Sequence, residues 1–230
     1  MARLHFHDEL EQRELELLTL GELAGTAVRR SVDALIGHDD ALADAVIAGD
    51  DEVDQLYLEL DRGIIALLAL QAPVAADLRL VSVIMHSGLH LERIADQGVN
   101  IAKIYKVTRH LPASSTILQR IGEMGDIVVE MVRTAMDALR RRDRDMCLKL
   151  PEMDDPVDRL NRNMHFEVAQ LADDKAALDW GMHMNLVSRA LERVGDNAVD
   201  IGEQVSFLLT GEYVEFTDAS HPGGVPADTD

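Results

Sequence analysis

Acidic residues recur in this chain in pairs spaced four apart. Glu92 and Asp96 form one pair, Glu192 and Asp196 a second, Asp50 and Asp54 a third, Asp154 and Asp158 a fourth. On a helix that spacing places both carboxylates of a pair on one side. Asn100 continues the first stripe, and Asp200 and then Glu203 continue the second. Clustered carboxylate oxygens suit a hard cation such as Mg²⁺, Ca²⁺, Mn²⁺ or iron far better than copper. Like charges at this spacing cost roughly 0.2–0.5 kcal/mol per pair on an exposed helix, and a bound cation would remove the repulsion. The cost recurs at matching places in two halves of the chain. Two readings fit this spacing. One is a cation site. The other is a solvated helix face, with Asp50, Asp154, Asp155 and Asp158 near helix starts, where carboxylates favour the positive end of the dipole. Glu92, Asp96 and Asn100 fall on outward positions, so any site is expected to be a surface cluster and not a buried cage.

Other chemistry is sparse. His86 and His90 are four apart, but His90 points roughly opposite to Glu92, and the matching second-half residues are Leu186 and Ala190. They read as flank packing. Asp179 and His183 form a pair with no repeat. The sequence has no Gly-rich phosphate loop, nucleophile motif or zinc signature. Carboxylate-bridged di-metal enzymes of the four-helix type use Glu-x-x-His motifs, and none occurs here. No catalytic or organic-cofactor residues are expected, and the chain does not read as an enzyme.

The elements that carry these residues repeat. Leu91-Glu92-Arg93-Ile94-Ala95-Asp96 matches Leu191-Glu192-Arg193-Val194-Gly195-Asp196 at an offset of 100. Asp50-Asp51-Glu52-Val53-Asp54 matches Asp154-Asp155-Pro156-Val157-Asp158 at 104, as Asp33-Ala34-Leu35 matches Asp137-Ala138-Leu139. The second copy is therefore about four residues shorter between its second and third helices. Apolar positions step by three and four through Leu80, Ile84, Ser87, Leu91, Ile94, Gly98 and Ile101. In the second copy they run through Trp180, Met184, Val187, Leu191, Val194, Ala198, Ile201, Val205 and Leu208. That periodicity marks one seam along a bundled helix. A first helix spans about 6–36, a Gly37-His38-Asp39 turn follows, and a short helix ends near Gly49. The middle helix packs through Val53, Leu56, Leu60, Ile64 and Leu67 and closes at Pro73. Asp77 is expected to N-cap the third helix, and Asp155-Pro156 to start the middle helix of the second copy. The fold class is all-α: two tandem antiparallel three-helix bundles related by internal pseudo-symmetry. Their expected ranges are 1–110 and 111–211, with Leu111–Ser115 as linker and 212–230 as a disordered tail.

Composition bounds the partners. The 230 residues are 47% apolar but only 3% aromatic, a helical mix, and carry 42 acidic against 22 basic side chains for a net charge of −20. Such a surface repels phosphate backbones, so no nucleic-acid binding is expected. It attracts cations and basic protein surfaces. The single Cys147 permits no internal disulfide, which fits a reducing cytoplasm. The first residues turn charged at once, without a signal-peptide core. The longest apolar run, Ile64–Leu70, is far short of a membrane span. A cytoplasmic protein without membrane insertion is expected, able to associate with membrane complexes at their surface.

The two LERxxD segments, the two DDxVD-type segments and Pro73-Val74-Ala75-Ala76-Asp77-Leu78-Arg79 resemble the PhoU family over about residues 6–211. The resemblance implies two three-helix bundles and metal clusters, with iron, manganese, zinc or magnesium as candidates. The implied ligands are Asp50, Asp54, Glu92 and Asp96 in the first copy. In the second they are Asp154, Asp158, Glu192, Asp196 and Asp200. Asn100 stands where Asp200 does, so the first site is expected to hold fewer ions or to hold them less tightly. The resemblance also implies a cytoplasmic, homodimeric regulator of phosphate uptake. Such a protein links the ATPase subunit of a phosphate ABC transporter to a sensor histidine kinase, and holds the starvation response off when phosphate is plentiful.

Overall fold

A computed structural model describes residues 2–71 and 73–216. Among them the chain forms eight helices and no strand: α1 Ala2–Gly37, α2 Asp40–Ala48, α3 Asp50–Leu70, α4 Ala76–Thr108, α5 Ser115–Arg141, α6 Arg144–Cys147, α7 Leu150–Ala169 and α8 Lys175–Thr210. Helices α1, α3 and α4 form one three-helix bundle, and α5, α7 and α8 the other. The short helices α2 and α6 follow the first helix of each copy. The two bundles join along α4 with α8 and along α1 with α5.

The repeat is visible in single turns. His38 and Arg142, 104 apart, both adopt left-handed φ, 52° and 54°. The aspartates that follow both cap the next short helix: Asp39 accepts from the Leu42 N–H at 2.9 Å, and Asp143 from the Asp145 N–H at 2.9 Å. These caps satisfy first-turn amides that have no partner inside the helix.

The three-and-four periodicity of α4 and α8 is the core seam. Ile84, Ser87, Leu91, Ile94, Gly98 and Ile101 are buried on α4, as are Trp180 to Val205 of the matching series on α8; Leu80 and Leu208 are half-buried. Val53, Leu60, Ile64 and Leu67 of α3 are buried, with Leu56 at the edge. A methyl group on Gly98 would lie 2.8 Å from the Ala27 carbonyl carbon, so α1 and α4 cross nearly backbone to backbone. No described helix is long and apolar enough to cross a membrane.

Two helix starts differ from expectation. Asp77 does not cap α4. The chain turns at Ala75, with φ 49°, so the helix begins earlier and Asp77 falls in its first turn, where its charge still meets the dipole. Helix α7 starts at Leu150, not at Asp155, with Pro151 in its first turn and Pro156 inside the helix. Fully buried Leu150 anchors the earlier start. Pro151 suits a first turn because its missing N–H would have no helical partner there. Pro156 withholds only one N–H, from the carbonyl four residues back. Residues 212–216, the start of the expected tail, fold back on α8: the Phe216 N–H donates to Glu203 Oε1 at 2.6 Å. The rest of that tail, 217–230, including His221 to Gly224, lies outside the described residues.

Candidate functional site

Each acidic stripe is built by two helices of one bundle. Helix α3 supplies Asp50 and Asp54, and α4 supplies Glu92 and Asp96; α7 supplies Asp154 and Asp158, and α8 supplies Glu192, Asp196 and Asp200. The first-copy residues sit at a partly open surface, with Asp50 and Glu92 half-buried and Asp54 and Asp96 exposed. They stand close enough to act on one another. Burial raises the Asp50 carboxyl above its usual range, with Asp54 and Asp96 next. Burial followed by Asp96 and Asp54 raises Glu92. Lys103 partly offsets the repulsion at Asp50 and Asp96.

The second copy departs from the expected surface cluster. Asp154, Asp158 and Glu192 are 3%, 9% and 7% exposed. For Asp154 a single missing atom matters. Gly195 replaces the Ala95 of the first copy, and a methyl group on Gly195 would overlap the Asp154 carboxylate. Without it, Asp154 lies against the backbone of α8. Nearby arginines offset part of the charge: Arg162 donates to Asp158 Oδ2 at 3.0 Å, and Arg189 donates to Glu192 Oε1. Glu192 Oε2 is buried with no hydrogen-bond partner. A buried carboxylate oxygen left unsatisfied is costly and calls for a ligand or a role.

Charge accumulates at Asp196. Loss of water around its carboxylate, then Glu192, Asp158 and Asp200, push it up to about 7. The side chain as a whole remains exposed, so solvent screens a share of that shift. Asp200 lies at the seam between the bundles. Its Oδ2 is 3.4 Å from His90 Nδ1, and His90 Nδ1 is 2.8 Å from Asn197 Oδ1. Burial raises the Asp200 carboxyl, and His90 and then Arg93 pull it back. Flank packing alone was the expectation for His90. Its role across the bundles has no sequence signal, because it depends on which face of α8 meets α4. His86 bonds only its own helix, through the Ser82 carbonyl at 2.8 Å. Cys147 is buried, which pushes its thiol up to about 11 and away from nucleophilic use.

The donor set is all-oxygen and anionic, as a hard cation requires. The orphaned Glu192 oxygen and the upward shift at Asp196 show charge that a cation would relieve. Among the described residues, however, no three His, Cys, Asp or Glu side chains already converge as a metal site. The residues fit a cation in kind, and taking one up calls for Arg189 and Arg162 to turn away from Glu192 and Asp158.

Known proteins share this two-bundle fold. The PhoU domain model matches twice, over residues 17–105 and 121–205. The chain is 30% identical over 220 residues to a phosphate-specific transport system accessory protein PhoU homolog of Clostridium acetobutylicum, covering 95% of this chain and all of that protein. It is 33% identical over 219 residues to the homolog of that name in Pseudomonas aeruginosa, covering 95% of this chain and 88% of the other. The crystal structure of PhoU from Pseudomonas aeruginosa superposes with a TM-score of 0.86, covering 90% of this chain and all of the other at 33% identity. The phosphate transport system regulatory protein PhoU from Streptococcus pneumoniae superposes at 0.83 with 26% identity, over 92% of this chain and all of the other. With both bundles matched and nearly the whole chain aligned to such relatives, this protein belongs to the PhoU family.

Proposed function

We propose that this chain is a regulatory accessory protein of phosphate uptake. It acts in the cytoplasm as an adaptor between the ATPase subunit of the phosphate ABC transporter and a phosphate sensor histidine kinase. It holds the starvation response off when phosphate is plentiful, and it works as a homodimer. The carrying observation is the family domain found twice in this chain, which aligns with relatives named as accessory proteins of phosphate-specific transport. A stable helical surface with a large net negative charge suits docking.

The carboxylate stripes would hold metal: Glu192, Asp196, Asp158 and Asp154 with Asp200 at the edge in the second copy, and Asp50, Asp54, Glu92 and Asp96 in the first. A bound cation would supply positive charge that removes the mutual repulsion of these groups and orders the stripe. The chain's own residues set its terms. Gly195 admits Asp154, Arg189 and Arg162 compete for Glu192 and Asp158, and Lys103 competes in the first copy. Those competing arginines also favour a second reading, a metal-free scaffold whose stripes are neutralised from within.

The test is a deletion strain carrying a starvation-promoter reporter, grown in high phosphate. The reporter should switch on and fall again when the chain is restored, with transport retained. A silent reporter in the deletion strain would refute the regulatory role.

A further inference from the structure

The repeat relates α4 to α8 position by position at an offset of 100. On one side of their seam, His90 of α4 reaches Asn197 and Asp200 of α8, and Arg93 also acts on Asp200. On the symmetry-related side the counterparts are Ala190 for His90, Gln97 for Asn197, Asn100 for Asp200, and Arg193 for Arg93. The imidazole and the carboxylate that close the first side are both missing from the second. There the structure has an open groove, lined by Gln97, Asn100, Ala190 and Arg193 among others.

The groove is basic and partly apolar. Lys103, Arg189 and Arg193 line it and no carboxylate does, in a chain with 42 acidic and 22 basic residues. Arg189 is tied to Glu192 by a hydrogen bond, whereas exposed Lys103 and Arg193 act on the carboxylates of the stripes only at longer range. Beside them lie Val107 and Leu186, 61% and 58% exposed. A small free anion would leave those two apolar side chains in water.

We propose that this groove docks an acidic, amphipathic helical segment of a protein partner. A partner carboxylate takes the place that Asp200 fills on the other side of the seam, between Arg193 and Lys103. Its apolar face covers Val107 and Leu186, the helix-in-groove mode of recognition. The proposal rests on the adaptor reading above, because that reading supplies the partner.

The test uses the full chain with the purified transporter ATPase subunit, and separately with the cytoplasmic part of the sensor kinase. Calorimetry compares the parent chain with Lys103→Glu/Arg193→Glu and with Leu186→Ser, all at exposed positions and each checked for unchanged helix content. At least one partner should bind, more weakly at about 300 mM than at about 50 mM salt. The charge-reversed variant should lose about tenfold or more in affinity, and Leu186→Ser a smaller factor. Parent binding with no loss in either variant would overturn the groove and leave the adaptor reading intact. If neither partner binds the parent chain, the adaptor reading fails. The groove is then decided by a photo-crosslinker placed at Leu186 in the producing cell. A cross-linked peptide that is acidic and amphipathic sustains it. A basic peptide, nucleic acid, a second copy of this chain or no adduct overturns it.

Discussion

Asp196→Asn should make the protein more stable near neutral pH and flatten the dependence of its stability on pH. The Asp196 carboxyl moves from 3.8 to about 7 in the folded chain. Between those values the folded state holds a proton that the unfolded chain has lost. Stability therefore falls as pH rises through this window and levels off above about 7. A displacement of that size would correspond to about 4 kcal/mol at full burial. Because the side chain is exposed as a whole, screening reduces the expected share to about 1–2 kcal/mol. Asn keeps the shape and removes the charge that Glu192, Asp158 and Asp200 oppose. For a chain of this length, that gain should raise the Tm of the metal-free protein at pH 8 by about 2–8 °C. Below the ordinary value of 3.8, where folded and unfolded chains both hold the proton, the two proteins should nearly coincide. The assay is thermal unfolding with a chelator present, at several pH values and two salt concentrations. A parallel pH dependence of the two proteins, or a less stable variant at pH 8, would refute the electrostatic account of this site.

Three further outcomes follow from single contacts. Gly195→Ala puts a methyl group into the Asp154 carboxylate and should cost about 1–3 kcal/mol. The mirrored Ala95→Gly should cost only the helix propensity difference, about 1 kcal/mol. Urea unfolding of both variants checks the asymmetry, and equal losses would contradict it. His90→Ala removes the 2.8 Å contact to Asn197 and should lower stability by about 1 kcal/mol, with faster hydrogen exchange on the facing stretches of α4 and α8. Glu203→Ala removes the acceptor of the Phe216 N–H, so 212–216 should detach and be cleaved sooner by chymotrypsin at Tyr213. Unchanged cleavage would show that the contact of the Tyr213 ring with Phe207 holds the segment without Glu203.

The helices were legible because their seams follow a strict three-and-four rhythm, and Leu91, Ile94, Leu191 and Val194 are fully buried where that rhythm places them. Which two carboxylates of a pair share one side of their helix was legible from the spacing, whereas the association of pairs from different helices was implied only by the family resemblance. The depth of the carboxylates was not legible. The outward positions of Glu92, Asp96 and Asn100 predicted a surface cluster, yet Asp154 and Glu192 are buried, and Gly195 leaves the room that the Asp154 carboxylate occupies against α8. Proline misled at α7: Pro156 is a good start signal, but Leu150 has a pocket to fill six residues before it. The role of His90 was illegible for another reason. Periodicity identifies the faces of one helix and says nothing of which residue on a second helix will meet them.

The most direct measurement is the metal content of the purified protein by elemental mass spectrometry, after incubation with iron, manganese, zinc and magnesium salts. It should be compared with the Glu92→Gln/Asp96→Asn/Glu192→Gln/Asp196→Asn variant, which keeps side-chain shape. The carboxylate account predicts stoichiometric metal in the parent chain and its loss in the still-folded variant. No metal in either, or equal metal in both, would contradict it and leave the stripes as charge neutralised by Arg162 and Arg189.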